Sequence, residues 1–192
     1  AIAYQNAGAD ELVFLDISAT LEGRSTMIDM IERVSSAVFI PLTAGGGVTD
    51  LESMRAIIQA GADKVFLNSA AVSNPELIRQ GAELFGSQAI VGAIDSKWDE
   101  IEHKHRVYVS GGTKATSLET TNWAKKMVQY GVGELLVTSM NTDGTKNGYD
   151  IALYQELDKI INVPIVASGG AGKLSDFSAV FKSGHVDAAL AA

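Results

Sequence analysis

The sequence of 192 residues contains no cysteine, only three prolines and only two tryptophans. The absence of cysteine excludes disulfide bonds, thiolate metal sites and a cysteine nucleophile, and it suits a reducing cytoplasm. No apolar run approaches the roughly 18 residues that a membrane-spanning helix requires. Acidic residues outnumber basic ones by 23 to 15, and the net charge of −8 argues against non-specific binding to nucleic acid. These features predict a cytoplasmic protein that binds neither membranes nor nucleic acid.

The chain does contain a regular alternation of short apolar runs and amphipathic stretches. Near-continuous apolar runs are typical of parallel strands that are buried on both faces. They predict strands at 12–17, 38–43, 64–68, 89–95, 134–139, 164–167 and 187–192, with helices near 24–36, 50–60, 74–85, 118–130, 150–161 and 173–183. This order predicts an α/β fold with a parallel sheet. Residues 97–117 are an insertion, in which Arg106 to Ser110 predict a hairpin arm over the mouth of the site.

An internal repeat with an offset of 123 residues is the most informative feature of the sequence. The matching pairs are Glu11 and Glu134, Pro41 and Pro164, Gly46-Gly47 and Gly169-Gly170, and Gly61 and Gly184, the last two being expected to end helices. One residue inserted near His185 raises the offset to 124, so that Asp63 matches Asp187. Two homologous halves, approximately 1–72 and 118–192, predict a single-domain (β/α)8 TIM barrel. An open doubly wound sheet is the alternative, but it would not repeat a Gly-Gly turn in this way.

The repeat also predicts that the barrel is incomplete. Asp95 ends the strand that opens the second half, and its counterpart in the first half would lie upstream of Ala1. We therefore expect the first strand and the last helix to be missing, so that the chain is short at both ends. A barrel opened in this way is expected to bind a ligand at most, and not to turn it over.

Two glycine-rich turns are candidate binding sites, because they follow predicted strands at the end of a barrel where active sites lie. They are Ala44-Gly45-Gly46-Gly47 and Ser168-Gly169-Gly170-Ala171-Gly172, and the next strands end beside them at Asn68-Ser69 and Ala191-Ala192. Glycine lets backbone N–H groups approach an anion, and a following helix N-terminus favours negative charge. Two such turns predict a ligand with a phosphate at each end. For either turn alone, tight-turn chemistry is an equally good explanation.

Three carboxylates, Asp16, Asp95 and Asp143, lie at predicted strand ends. A carboxylate in the mouth of a barrel can act as a general acid or base once burial raises its pKa. Asp95 is the strongest candidate because it ends an apolar run, whereas the Asp143-Gly144 pair is also typical of a turn. A helix cap or a loop position is the alternative for each carboxylate.

Two further sets of charged or ligating residues are weaker signals. At the opposite rim, Glu11, Lys64 and Glu134 begin predicted strands, as solvated charges or as an ordered charged ring. The histidines are poorly placed for catalysis, and no metal site is predicted from His103, His105 and His185.

Six long motifs are specific enough to compare with known families: GADELVFLDIS, IPLTAGGGV, GADKVFLNSAAV, FGSQAIVGAID, GELLVTSMNTDGTKNGYD and VPIVASGGAGKLSDF. With the rest of the chain, they resemble the cyclase subunit of imidazole glycerol phosphate synthase. The resemblance implies a duplicated barrel that acts as a lyase in histidine biosynthesis without a cofactor. It further implies a heterodimer with a glutaminase that supplies ammonia. With this ammonia, a phosphoribulosyl-formimino aminoimidazole carboxamide ribonucleotide, which has two phosphates, is converted into imidazole glycerol phosphate and aminoimidazole carboxamide ribonucleotide.

The resemblance also implies roles for individual residues. Asp95 matches one of two catalytic aspartates, and the other would lie upstream of Ala1. The positions that match phosphate sites are Gly47, Asn68 and Ser69 for one and Asp143, Gly144, Gly170 and Ala191 for the other, with Gly46 and Gly169 as neighbouring glycines. The positions that match the ammonia gate and the face toward the glutaminase are Glu11, Lys64, Glu134 and Asp63. The chain departs from the family at Asn141-Thr142, where members carry Asp-Arg, and at Ala44, where members carry Val.

Two alternative functions remain open at this point. One is the isomerase of the preceding step in histidine biosynthesis, which is also a duplicated barrel with a bisphosphate sugar substrate. The other is an inactive phosphate-binding barrel fragment. Ammonia-dependent turnover distinguishes the cyclase from both.

Overall fold

In the computed structural model of the chain, the described residues are 1–15 and 21–192, and the side chains of 21–26 are not described. They form two compact units, Ala1–Val91 and Gly92–Ala192. Asp16, one of the predicted strand-end carboxylates, lies outside the described residues. None of the described helices is long and apolar enough to cross a lipid bilayer.

The first unit is a parallel βα repeat. Its described strands, which pair in parallel and in chain order, are β1 (Leu12–Leu15), β2 (Leu42–Gly45) and β3 (Lys64–Leu67). Its described helices are α1 (Ile2–Asn6), α2 (Leu21–Ser35), α3 (Leu51–Gln59), α4 (Ser69–Ser73) and α5 (Glu76–Phe85). Met54, Ile57, Leu67 and Ile78 are almost completely buried, so the apolar faces of α3 and α5 pack on this sheet.

Strand β2 begins four residues later than the predicted start at residue 38. Pro41 has no backbone N–H and cannot donate to a sheet, so the strand begins only after it. The Pro41 carbonyl oxygen accepts the N–H of Leu12 at 2.9 Å and aligns β2 with β1. Phe39, the second residue of the predicted strand, is 94% exposed. The boundary of 38–43 was therefore wrong, although the strand itself is confirmed.

The second unit combines an antiparallel hairpin arm with a second parallel repeat. Its described strands are β4 (Ile90–Asp99), which begins in the first unit, then β5 (Lys104–Val109), β6 (Lys114–Glu119), β7 (Glu134–Ser139), β8 (Ile165–Ser168) and β9 (Ala188–Ala189). Strands β4, β5 and β6 pair antiparallel, whereas β7, β8 and β9 pair in parallel. Its described helices are α6 (Thr120–Tyr130), α7 (Ile151–Asp158) and α8 (Leu174–Ala179). The predicted hairpin is confirmed, and its place over a site stays a prediction.

Helix α6 packs closely on β4 at a glycine. A Cβ on Gly92 would lie 2.8 Å from the Met127 side chain and 2.9 Å from that of Leu135, closer than real Cβ contacts. Met127, Leu135 and Trp123 are almost completely buried. The glycine thus lets the strand and the helix approach each other without a void.

The starts of strands are built in the same way in both units. The Asp63 carboxylate accepts the N–H of Leu42 at 2.8 Å, and the Asp187 carboxylate accepts the N–H of Ile165 at 2.9 Å. In return, the Leu42 carbonyl accepts the N–H of Asp63, and the Ile165 carbonyl accepts that of Asp187. The match between Asp63 and Asp187 therefore holds at individual hydrogen bonds.

The ends of two matching helices differ between the units. After α3, Gly61 has a φ of 105°, which glycine adopts readily. After α8, the chain forms a π-helical turn, Val180–Gly184, and His185 takes the left-handed conformation with a φ of 57°. Gly184 ends the turn as predicted, but the residue after it takes the special conformation. A π turn holds one residue more than an α turn, which accounts for the insertion near His185.

Candidate active site

Asp95, the strongest catalytic candidate, lies inside strand β4. The predicted strand end at residue 95 was wrong, because β4 continues to Asp99 and pairs there with β5. The Cα of Asp95 is opposite that of Tyr108, where this pairing begins. Because side chains alternate across a strand, half-buried Asp95 points away from Ser96, which is buried and hydrogen-bonded to Thr120 with 2.8 Å between the hydroxyl oxygens.

The hairpin of β4 and β5 therefore has two different faces. The charged face consists of Asp95, Lys97, Asp99, Lys104, Arg106 and Tyr108. The apolar face consists of Ser96, Trp98, His105, Val107 and Val109. On the charged face, Arg106 Nε lies 2.8 Å from Asp99 Oδ2, and both Arg106 and Lys104 form ion pairs with Glu102. Charged residues therefore occupy this face of the hairpin from Asp95 to the turn between β4 and β5.

The glycine turn of the second unit packs tightly against the loop that follows β7. Gly169 and Gly170 are buried and have φ values of 90° and 107°, which disfavour any residue with a Cβ. A Cβ on Gly170 would lie 2.1 Å from the carbonyl oxygen of Gly148, whose N–H donates to the Gly170 carbonyl at 2.8 Å. The hydroxyl of Thr142 donates to the Gly169 carbonyl at 3.0 Å. Packing by itself therefore requires these glycines, whether or not an anion binds.

Asp143 and Gly144 lie in the same loop, beside this glycine turn. The N–H of Asp143 donates to the Ser139 carbonyl at 2.9 Å, and Gly144 has a φ of 73°. The Asp143 Cβ lies 3.2 Å from the place that a Cβ would take on Gly169. The structure thus places Asp143 against Gly169, with Gly144 next to Asp143 in the chain, and a phosphate site at this place stays a prediction.

Asn141 and Thr142, where the chain departs from the family that it resembles, both hold this loop in place. The Asn141 side-chain oxygen accepts the N–H of Trp98 at 2.8 Å and ties the loop to the hairpin. Thr142 ties it to the glycine turn through Gly169. Sequence reasoning missed both roles, because each depends on residues that are distant along the chain.

A buried tyrosine of α7 fixes the strand ends from which these turns start. The Tyr154 hydroxyl lies 2.9 Å from the carbonyl oxygens of Val137 and Ser168, and it accepts the N–H of Ser168 at 3.0 Å. Burial raises the pKa of Tyr154 well above its usual value, so the hydroxyl keeps its proton. One side chain thereby joins the ends of β7 and β8.

Asp150 connects β7, α7 and the hairpin. Its carboxylate accepts hydrogen bonds from the Ser139 hydroxyl at 2.9 Å and the Leu153 N–H at 3.2 Å, and it lies 3.5 Å from His105 Nε2. Burial by itself would raise the pKa of Asp150, but hydrogen bonds from His105, Leu153 and Ser139 lower it below its usual value. His105 is 6% exposed and packs edge-on against Trp98 with ring centroids 5.0 Å apart. The alternation along β5 was the signal that could have placed His105 on the apolar face.

The other two histidines lie at the surface. His103 is exposed in the turn between β4 and β5, and His185 Nδ1 lies 3.1 Å from an Asp158 carboxylate oxygen. Among the described residues, no three His, Asp or Glu side chains come together in a way that could hold a metal ion.

The glycine turn of the first unit follows β2 directly. Gly46 and Gly47 have φ values of 130° and 60°. A Cβ on Gly45 would lie 2.6 Å from the Phe66 ring, so the ends of β2 and β3 are in close contact. Asn68-Ser69 follows β3, which pairs with β2, and Ser69 begins α4. That these residues and the glycine turn form one phosphate site stays a prediction.

Ala191 is exposed just beyond β9. The strand is shorter than the predicted 187–192, although its extension is held in place. The Tyr149 hydroxyl donates to the Leu190 carbonyl at 2.8 Å. Burial, assisted by the negative charge of Asp176, raises the pKa of Tyr149 to about 12. The segment before Ala191 is therefore anchored on the second unit.

Two of the predicted gate residues form an ion pair in the first unit. Lys64 Nζ lies 2.9 Å from a Glu11 carboxylate oxygen, and the Thr43 hydroxyl donates to the other oxygen. Both charged side chains are partly exposed. Glu134 is the first residue of β7 in the second unit and is half-buried. Asp63 is exposed, but one carboxylate oxygen is already used at a strand start. The ordered charged ring stays a prediction.

Known proteins are similar to this chain over its whole length. The whole chain, residues 1–192, matches the family described as "Histidine biosynthesis protein". It is 62% identical over 190 residues to the "Imidazole glycerol phosphate synthase subunit HisF" of Leuconostoc mesenteroides, which covers 99% of this chain and 75% of that protein. The protein of the same name from Lactiplantibacillus plantarum is 60% identical over 192 residues, covering 100% and 76%. That from Geobacillus thermodenitrificans is 54% identical over 190 residues, covering 99% and 75%.

Proposed function

This chain belongs to the histidine biosynthesis protein family, and from that premise we propose that it carries the cyclase activity of imidazole glycerol phosphate synthase. In this lyase reaction, ammonia releases aminoimidazole carboxamide ribonucleotide from its precursor and closes the imidazole ring of imidazole glycerol phosphate. The observation that carries the proposal is an identity of 60% to a HisF subunit over all 192 residues. The matched region includes the turns and strand ends described above. This similarity makes the isomerase the weaker alternative.

The phosphates of the substrate are proposed to bind at the glycine turns. In the second unit, Gly169 packs against Asp143, and Gly144 is the next residue of the same loop. In the first unit, Gly46-Gly47 lies beside the residues that follow β3. Each unit thus offers one turn whose backbone N–H groups can bind an anion, and the substrate has two phosphates.

Asp95 is proposed as a catalytic acid or base. It is half-buried on the charged face of the hairpin, and ring closure and C–N cleavage both require proton transfers. The residues that position the neighbouring loop, above all Tyr154 and Asp150, are themselves held by several hydrogen bonds. A carboxylate in such a rigid setting can transfer a proton without first being reoriented.

A glutaminase is proposed as the partner that supplies ammonia in a cytoplasmic heterodimer. The support is that the relatives are named as subunits of a synthase, together with the Glu11–Lys64 ion pair at the strand starts. Asp63 in the first unit is proposed to face the glutaminase, and Glu134 in the second unit is proposed as a residue of the ammonia gate. The absence of cysteine suits a reducing cytoplasm.

The test is steady-state turnover of the precursor with saturating ammonium, in a synthase holoenzyme whose cyclase subunit has the full length of the relatives, since this chain covers 75% of the Leuconostoc protein. Asp95→Asn keeps the shape of the side chain and removes the titrating group, so kcat should fall by roughly 10²–10⁴ with KM nearly unchanged. Turnover that does not depend on ammonia would favour the isomerase and overturn the proposal. If Asp95→Asn kept more than about a tenth of kcat, Asp95 would be structural and its catalytic role refuted.

A further inference from the structure

The charged face of the hairpin carries one cation whose charge is not neutralised. Arg106 is paired with Asp99 and Glu102, and Lys104 Nζ lies 2.5 Å from Glu102 Oε2. Lys97 is exposed and has no carboxylate partner within residues 1–15 and 27–192, whose side chains are described. Asp99 and the turn residue Glu102 thus pair with the two outer cations, and neither of them pairs with Lys97.

The position of Lys97 relative to Asp95 is fixed by the strand. The two residues are separated by one position on β4, so their side chains share a face and their Cα atoms lie about 6.6 Å apart. Lys97 Nζ lies 5.7 Å from the centre of the Tyr108 ring, and Tyr108 is the residue directly opposite Asp95 on β5. The ring therefore holds the ammonium group on the side of the hairpin where Asp95 lies.

A cation over an aromatic ring keeps its ability to donate hydrogen bonds. The attraction orients Lys97, and with Nζ 5.7 Å from the ring centre the ammonium group keeps N–H groups that can donate to a ligand. An exposed ammonium group held beside a carboxylate can then donate to an anionic oxygen of a ligand that approaches the carboxylate.

We propose that Lys97 is a further substrate-binding residue of the cyclase site, whose ammonium group contacts an anionic oxygen of the substrate next to Asp95. The inference rests on the proposed function, since it takes the cyclase substrate as the ligand. A second consequence follows from charge alone: the cation stabilises the ionised form of Asp95.

The test compares three variants in the holoenzyme at saturating ammonium. Lys97→Met removes the charge and keeps the length of the side chain, and kcat/KM should fall by about 10- to 100-fold, as for a lost hydrogen bond to a charged group. Lys97→Arg keeps a cation and should recover most of this loss. Lys104→Met is the matched control on the same face, because its charge is already paired, and it should leave kcat/KM within about twofold.

The pH profile separates a binding role from a structural one. In Lys97→Met, the limb of the kcat/KM profile that reports Asp95 should move to higher pH, because removal of a nearby cation raises the pKa of a carboxyl group. A role confined to packing would lower activity without moving that limb. Since Lys97 is exposed, the variants should unfold at the same urea concentration as the unaltered protein.

The proposal is overturned if Lys97→Met and Lys104→Met behave alike, or if Lys97→Arg recovers nothing and the profile stays in place. These outcomes leave the cyclase function intact, because that function is tested separately by the ammonia-dependent turnover of the unaltered protein. Absence of ammonia-dependent turnover in that protein would instead refute the proposed function itself.

Discussion

The two units have the same hydrogen bonds where their strands start and different packing where their strands end. Asp63 with Leu42 and Asp187 with Ile165 form matching pairs of bonds. At the other end, Gly170 of the second unit packs against the Gly148 carbonyl of a preceding loop, whereas Gly45 of the first unit, which matches Ser168 in the repeat, packs on Phe66 of the neighbouring strand. The strand starts thus share one hydrogen-bonding framework, whereas these contacts at the strand ends differ between the units.

The largest effect is expected at the tightly packed strand end. Gly170→Ala should lower the free energy of unfolding by about 3 kcal/mol, because its Cβ would meet the Gly148 carbonyl at 2.1 Å in a left-handed conformation. Gly144→Ala is the matched control: φ is 73° and nothing lies within 4 Å, so the loss should be about 1 kcal/mol. Urea unfolding measures both. Equal losses would mean that the close contact at Gly170 does not exist.

The close packing of Gly170 limits what a substitution there can show about phosphate binding. A substitution at Gly170 disturbs the loop that carries Asp143 before it touches a ligand, so weaker binding there would report packing. Backbone N–H groups at the turn are better tested by titration of the unaltered protein with inorganic phosphate.

A smaller effect is expected at the strand starts, and it should be equal in the two units. Asp63→Ala and Asp187→Ala each remove a charged acceptor from one strand N–H, and each should cost about 1 kcal/mol in urea unfolding. Only Asp63 is proposed to face the glutaminase, so only Asp63→Ala should also weaken binding of the glutaminase. If both variants weakened it equally, the proposed partner face would be wrong; unequal stability losses would contradict the common framework.

The smallest effect is expected at the helix end that distinguishes the second unit. His185→Gly relieves a left-handed conformation but loses an exposed contact with Asp158, and both contributions are on the order of 1 kcal/mol or less. The free energy of unfolding should therefore change by no more than about 0.5 kcal/mol. A loss above about 1.5 kcal/mol would show that His185 has a packing role that its exposure does not indicate.

The order of elements and the repeat could be predicted from the sequence, because both depend on local patterns. Apolar runs identified the described strands of the parallel repeats, and matched glycines identified the copies. Two predicted strand boundaries were wrong. Strand β2 begins only after Pro41, which has no backbone N–H to donate. Strand β4 continues beyond Asp95 because it pairs there with β5, which lies in an insertion. Phe39 shows the same limit, since an apolar side chain in an apolar run is 94% exposed.

The sequence predicted some residues of the candidate site as neighbours, but it predicted few of the contacts between them. Asp143 and Gly169 were assigned to one place and are found side by side. The roles of Thr142 and Asn141 could not be predicted, because their partners are fixed only by the folded loop. The sequence does not distinguish Lys97 from the other lysines, because its role depends on how the other charges of its face are paired.

The π-helical turn Val180–Gly184 also bears on how a duplicated gene can change its length. An added codon inside a strand would reverse the facing of every following side chain, whereas one at the end of a helix is absorbed within a single turn. Insertions and deletions that accumulate between the copies should therefore concentrate at helix ends. An alignment of the two halves that forbids gaps there would misplace Asp187 against the residue next to Asp63.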